Sequence, residues 1–104
     1  MPLSQTQKKQ FRKIAHQLKP VILIGDKGLS ENVHKEIDRA LEDHELIKIK
    51  VRASDRDTKK TEIAEICSAH QAELIQQVGN IAVFYRSARK PNPKLSAILK
   101  FSQN

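Results

Sequence analysis

Apolar residues recur at helical spacing near the start of the chain. The helical stripe begins after Ser4, whose hydroxyl is a good N-cap, and predicts a half-buried helix ending near residue 18. Its apolar face consists of Phe11, Ile14, Ala15 and Leu18. Pro20 ends this helix, and residues 21–24 form a continuous apolar run. Such a run predicts a strand buried on both faces.

A second helix, capped by Ser30, has an apolar side and an acidic side. Its inner positions are Val33, Ile37, Ala40, Leu41 and His44. Its outer positions are Glu31, Asp38, Glu42 and Glu45. Residues 46–52 then alternate apolar and basic side chains, which predicts a strand with one buried face. Ile47, Ile49 and Val51 point inward in this prediction, and Lys48, Lys50 and Arg52 point outward.

The last third of the chain predicts one more helix and a hairpin. The helix begins near Asp57, its predicted N-cap, and buries Ile63, Ile66, Cys67 and His70. Residues 74–78 and 81–86 flank Gly79-Asn80, and a glycine in first place is what a type II′ hairpin turn requires. After Ser87 the chain is expected to form a tail, although four apolar residues of it are candidates for docking on the body. They are Leu95, Ile98, Leu99 and Phe101.

The resulting order is α-β-α-β-α-β-β, which predicts a two-layer α/β fold. The two strand-helix-strand units imply parallel strands, and the hairpin adds an antiparallel one, so we expect a four-stranded mixed sheet with the helices packed on it. At 104 residues the chain has room for one ordinary domain. We assign that domain to residues 1–87 and a basic, Pro-containing tail to residues 88–104.

Charge points to a polyanionic partner. Lys and Arg number 19 against 12 Asp and Glu, a formal net charge of +7. Such a domain is attracted to RNA. An anionic membrane is less well matched, because no apolar run is long enough to span it and no basic helix carries aromatic anchors. Aromatic residues make up only 4% of the chain, which favours contact with the RNA backbone over stacking on bases.

The cysteine content and the N-terminus suggest where the protein works. Cys67 is the single cysteine, so an internal disulfide is impossible and a reducing compartment is expected. The first residues do not read as a signal peptide. We therefore expect a cytoplasmic protein, and a monomer.

The GxxG loop, residues 25–28 with the sequence Gly25-Asp26-Lys27-Gly28, is the candidate for chemistry. It lies between the first strand and the second helix. Two glycines allow a tight turn and a close approach to a ligand, and a helix N-terminus offers free N–H groups to an anion. Lys27 adds a mobile positive charge. The KH module clamps a nucleic-acid backbone with a loop of this kind, although four residues alone also fit a plain strand-to-helix turn.

Basic side chains elsewhere complete the predicted RNA-binding surface. No acidic residue precedes Asp26, so the basic face of the first helix has nothing to neutralise it. Lys59 and Lys60 oppose the dipole at the start of the third helix, which is easier to understand if an anion binds nearby. The candidates outside the loop are Lys8, Lys9, Arg12, Lys13, Lys19, Lys48, Lys50, Arg52, Arg56, Lys59, Lys60 and Arg86.

The basic residues of the first helix and those of the second strand are alternative neighbours of the loop. Pro20 and the short first strand tie the first helix to the loop in sequence. We therefore expect Lys9, Arg12 and Lys13 on that helix to make more phosphate contacts than the outward-facing residues of the second strand.

Several segments resemble the CRM domain (chloroplast RNA splicing and ribosome maturation), in particular the bacterial stand-alone YhbY type. The resemblance is carried by residues 18–30, 45–51, 78–80 and 83–86, and extends over roughly residues 3–87. It implies an α/β fold related to the C-terminal domain of translation initiation factor three. It also implies RNA binding and association with the precursor of the large ribosomal subunit. Asp26 departs from the family pattern, since many members carry a basic residue there.

Other functions are less well supported by the residues. Cys67 and His70 lie one helical turn apart, but no second pair completes a zinc site, and both fall on an apolar stripe. Asp55 and Asp57 are surrounded by basic residues and do not suggest an acid–base pair. We thus expect no catalysis, cofactor, metal or small-molecule substrate. The alternatives are a protein-interaction module using the acidic helix, residues 30–45, and a KH-like regulator of mRNA.

Overall fold

The computed structural model describes residues 3–53, 55–90 and 96. The element order α-β-α-β-α-β-β is confirmed. The elements are α1 (Gln5–Ala15), β1 (Pro20–Ile24), α2 (Glu31–His44), β2 (Leu46–Val51), α3 (Arg56–His70), β3 (Glu73–Val78) and β4 (Ile81–Tyr85).

The four strands form one mixed sheet in the order β1-β2-β4-β3. β1 and β2 are parallel, and β4 is antiparallel to both β2 and β3. The connection from β2 through α3 to β3 therefore skips one position in the sheet, and β4 occupies that position. Gly79 has φ 58°, and Val78 pairs with Ile81. The predicted two-residue hairpin with glycine in first place is confirmed.

The helices cover both faces of the sheet, so the molecule has three layers rather than the two expected from sequence. α2 and α3 cover one face, over a core that includes Ile24, Ile49 and Phe84. α1 covers the other face, where its apolar stripe packs on Leu46 and Ile75. The signal for the second core was present in β4, where Val83 and Tyr85 alternate with residues of the first core, and at Leu46, which starts β2.

β1 is an edge strand with one buried face, and the prediction of burial on both faces is wrong. Ile22 and Ile24 lie in the core beneath α2, while Val21 and Leu23 are 51% and 54% exposed. The reason is the position of α1, which packs against β2 and β3 and leaves β1 uncovered. A continuous apolar run fits a strand buried on one face as well as a strand buried on both faces. Its sequence therefore does not distinguish the two.

Side-chain caps fix where the helices begin. Ser4 caps α1 in a capping box with Gln7, and Ser30 caps α2, both as predicted. Asp55, rather than Asp57, caps α3: its Oδ1 accepts the Thr58 N–H at 2.7 Å. Both aspartates precede the helical pattern, and sequence spacing does not discriminate between neighbours two residues apart.

Glu45 was expected on the outer side of α2, but it is buried at the helix end with φ 63°. Its carboxylate accepts hydrogen bonds from the Ala88 N–H and from the hydroxyl of Ser96, which is itself buried. The chain beyond Ser87 thus touches the body at these points. The predicted docking residues Leu95, Ile98, Leu99 and Phe101 lie outside the described residues.

Candidate nucleic-acid interface

Four segments converge at one end of the sheet, which we call the loop end. β1 and β2 are parallel, so their carboxyl ends meet there, and the Arg52 N–H donates to the Ile24 carbonyl at 2.9 Å. The hairpin turn joins them, since the Val51 N–H donates to the Asn80 carbonyl at 2.7 Å. The start of α3 completes the group through Lys59, whose Nζ lies 3.4 Å from the Gly79 carbonyl.

The GxxG loop is a tight turn that presents two exposed side chains at the loop end. The Gly28 N–H donates to the Gly25 carbonyl at 3.0 Å, which leaves Asp26 and Lys27 at the central positions. Gly28 has φ 69°, a conformation that L side chains rarely adopt. α2 begins at Glu31, three residues later. The free N–H groups of the α2 N-terminus therefore begin beyond the loop, and Ser30 Oγ already accepts one of the α2 N–H groups, that of Val33.

Six cations lie on the segments that meet at the loop end, and we call them the loop-end cations: Lys27, Lys50, Arg52, Arg56, Lys59 and Lys60. All are exposed except Lys59, which is half-buried. Within residues 3–53, 55–90 and 96, none of the ion pairs involves any of the six. Arg56 and Lys59 also line an open depression of about 380 Å³ beside the hairpin turn. A group of this size that makes no ion pair among the described residues favours a phosphate-bearing ligand.

Glu62 is a neighbour of the loop that the sequence did not single out. A Cβ on Gly28 would lie 3.0 Å from its Oε2 atom. Burial, and secondarily the charge of Glu65, raise the pKa of Glu62 above its usual value. No local pattern marks this residue, because the contact arises only from the packing of α3 against the turn. Together with Asp26 it limits how much negative charge the loop can accept.

The expectation that α1 lies beside the GxxG loop is wrong, because α1 is not among the elements that pack on β1, the strand that leads into the loop. α1 packs across β2 and β3, and its basic side faces away from the sheet. Lys19 precedes the start of β1, at the opposite end of that strand from the loop. Lys48 faces the end of α1 near His16. The predicted RNA-binding residues that α1 itself carries are Lys8, Lys9, Arg12 and Lys13.

Arg86 is engaged in an ion pair far from the loop. It follows the end of β4, and that strand starts at the loop end. Its guanidinium donates to Asp38 Oδ1 at 2.8 Å and to the Asp38 carbonyl at 3.1 Å, and its side chain is only 20% exposed. The Arg86 hydrogen bond lowers the pKa of Asp38 despite partial desolvation. This geometry gives Arg86 a structural role, so it is not part of the loop-end surface.

The acidic side of α2 is largely occupied by contacts within the chain. Asp38 and Glu42 face Arg86, and Glu42 also accepts the Arg89 N–H. Glu45 is buried, as described above. The protein-interaction alternative therefore loses most of the free carboxylates on which it depended.

His70 belongs to a hydrogen-bonded network between α2 and α3. Its Nε2 lies 2.9 Å from His34 Nδ1, and His34 Nε2 lies 3.1 Å from Glu65. Burial, followed by the charge of His34, lowers the pKa of His70, which Asp38 partly offsets. Cys67 is half-buried, and desolvation raises the pKa of its thiol. In the part of the chain that the structure describes, no three His, Cys, Asp or Glu side chains form a group suited to a metal ion.

This network predicts a loss of stability in mild acid. Unfolded His70 takes up a proton near pH 6.5 and the folded residue resists it, so the unfolded state binds more protons and the free energy of unfolding falls as pH drops below about 6.5. The raised pKa of Glu62 acts in the opposite sense, because the folded protein then binds that proton more readily than the unfolded chain does. The measurement is therefore the difference between wild type and His70→Gln in denaturant titrations at pH 7 and 5.5. Identical slopes against pH would contradict the role of His70.

These features define a small α/β domain with a glycine-rich turn and neighbouring basic residues at one end of its sheet. Residues 3–86 match the family model of the CRS1 / YhbY (CRM) domain. The chain therefore belongs to the CRM family, as the resemblance in its sequence indicated.

Relatives and a solved structure agree with this assignment. The chain is 45% identical over 102 residues to a "probable RNA-binding protein" of Pseudomonas aeruginosa, covering 98% of each. It is 43% identical over 96 residues to an "RNA-binding protein" of Haemophilus influenzae, covering 91% of this chain and 97% of the relative. The solution structure of a hypothetical protein from Staphylococcus aureus superposes with a TM-score of 0.75 at 36% identity, covering 91% of this chain and 98% of the other.

No helix among the described residues is long and apolar enough to cross a membrane.

Proposed function

We propose that this protein is a non-enzymatic RNA-binding protein that grips backbone phosphates at the loop end of its sheet. The observation that carries the proposal is the convergence of the GxxG loop and six cations without an ion pair among the described residues. A compact cationic surface around a glycine-rich turn suits phosphate oxygens, which approach closely where no Cβ intervenes. The names of the relatives support RNA as the ligand.

The proposed RNA is ribosomal RNA within the precursor of the large subunit, contacted during assembly. This choice rests on the resemblance to the bacterial stand-alone CRM proteins. The domain of residues 1–87 would carry the binding surface, and the tail of residues 88–104 would add positive charge. A cytoplasmic location follows from this role. Regulation of mRNA is the alternative within the same binding chemistry, and the RNA recovered from cells would distinguish them.

The sharpest test of the loop uses Gly25, because this position accepts a side chain without strain. A Cβ there would meet nothing within 4 Å, so both Gly25→Ala and Gly25→Asp should fold. We expect Gly25→Asp to weaken RNA binding about tenfold or more, since a carboxylate some 4 Å from a phosphate costs about 1–4 kcal/mol. Gly25→Ala, the matched control, should lose much less.

The measurement is titration of a labelled RNA with each folded variant at one salt concentration. Equal affinities for Gly25→Asp and wild type would show that the RNA does not approach the loop. Loss of binding in Gly25→Ala as severe as in Gly25→Asp would mean that the added Cβ, rather than the charge of the carboxylate, blocks the RNA.

A further inference from the structure

A row of three aliphatic residues and one lysine crosses the sheet face next to the GxxG loop. Across the four strands the row runs Leu23, Lys50, Ile81 and Val78, each paired with the next in the strand register. We call it the sheet row. Leu23 and Val78 are 54% and 64% exposed, and Val21, 51% exposed, lies beside it. These three are the large hydrophobic side chains that the described residues leave open to solvent.

The sheet row lies on the face that α1 covers only in part. Ile22, Ile24, Ile49 and Val51 point into the core under α2 and α3. Alternation therefore places Leu23 and Lys50 on the opposite face. α1 ends at Ala15, before it reaches the row, so this part of the face remains uncovered.

A cleft connects the end of α1 to the row. Its volume is about 240 Å³, and its walls include Ala15 and His16 on one side and Val78 and Ile81 on the other. This is below the roughly 300–1,000 Å³ of small-molecule pockets. Lys48 and Gln76 also line it, so a positive charge and polar groups stand beside the apolar side chains.

We propose that the sheet row and its cleft receive unpaired nucleobases of the RNA whose phosphates are held at the loop end. The inference rests on the proposed function and adds the part of the RNA that this face contacts. A nucleobase has an apolar face attached to a charged backbone, and the row offers the matching pattern of aliphatic side chains interrupted by Lys50. Base faces accept such contacts with little dependence on sequence.

The position of the row favours this occupant over a protein. Leu23 is two residues from Gly25, so the row is continuous with the proposed phosphate site, and a single strand passing over the loop would meet it next. A second copy of the chain would bring the same +7 charge and the same lysines to the face, which disfavours self-association. The scarcity of aromatic residues then means that bases are held by aliphatic packing rather than by stacking on rings.

The test compares a single-stranded RNA with an abasic ribose-phosphate strand of the same length. The variants are Leu23→Ser with Val78→Ser, checked for folding by circular dichroism, and Leu23→Ala with Val78→Ala in case serine perturbs the strands. Because both side chains are half-exposed, losing their contact with a base should weaken binding of the RNA about five- to tenfold. Binding of the abasic strand should not change.

Two results would overturn the inference: equal affinity of the row variants and wild type for the RNA, or equal losses on both strands. Lys27→Gln provides the reference for the phosphate site, since it should weaken binding of both strands alike. If Lys27→Gln leaves both affinities unchanged while the row variants lose only the RNA, the proposed phosphate site fails and the base contacts remain.

Discussion

Replacing Lys50, Arg52 and Arg56 together with glutamine is expected to flatten the salt dependence of RNA binding by about two units. Each phosphate contact on a single strand contributes about 0.7 to the slope of log K against log salt. If the non-ionic part of binding is unchanged at 1 M salt, a slope lower by two units makes binding about a hundredfold weaker at 0.1 M. All three side chains are exposed at the loop end, so their loss should leave the fold intact.

The matched control is the triple replacement of Lys9, Arg12 and Lys13 on α1. It removes the same charge from a helix that packs across β2 and β3, away from the GxxG loop. We expect it to reduce long-range attraction but to change the slope by less than about half a unit. The measurement is the affinity for one RNA at several salt concentrations. A larger change of slope in the variant of Lys9, Arg12 and Lys13 than in the variant of Lys50, Arg52 and Arg56 would place the RNA path over α1.

Gly28→Ala is expected to lower the free energy of unfolding by about 1–2 kcal/mol, the cost of a left-handed conformation for an L residue. Gly28 has φ 69°, and its new Cβ would also lie 3.0 Å from Glu62 Oε2. Gly25→Ala is the control, because no positive φ and no close neighbour oppose it. It should be neutral, or stabilising by about 0.4–1 kcal/mol through the unfolded state.

Denaturant titrations of the three proteins measure this difference. Similar stabilities for Gly28→Ala and Gly25→Ala would mean that the turn does not need the left-handed conformation. An acidic residue at Gly28 combines strain, contact with Glu62 and repulsion of phosphate. It therefore cannot separate RNA binding from folding as cleanly as Gly25→Asp does.

Local signals in the sequence predicted most of the fold. The caps at Ser4 and Ser30 and the Gly79-Asn80 turn depend on a few neighbouring residues, and each is found where the pattern placed it. The element order follows from periodicity in the same way. These features need no knowledge of how distant segments pack.

The errors concern which distant segments meet. The position of α1 is decided by contact between its apolar stripe and an apolar patch of the sheet that lies away from β1. Val21 and Leu23 of β1 are therefore exposed where burial was expected. Arg86 was assigned to the RNA surface because nothing nearby in sequence could neutralise it. Asp38, its partner in the fold, lies 48 residues earlier.

The candidate site was predictable as a loop but not as a surface. The GxxG motif marks the turn, yet the convergence of Arg52, Arg56 and Lys59 around it depends on the parallel pairing of β1 with β2 and on the hairpin that follows. The sequence shows that these residues are basic but not that they share an end of the sheet. The contact between Glu62 and Gly28 had no sequence signal at all.

The central claim is that RNA is held at the loop end of the sheet. Ultraviolet crosslinking of RNA to the protein in cells, followed by mapping of the crosslinked peptides, tests it most directly. We expect crosslinks within residues 25–28, 50–60 and 78–81, with large-subunit precursor RNA on the other side of the bond. Crosslinks confined to the outer side of α1 or to α2 would contradict it.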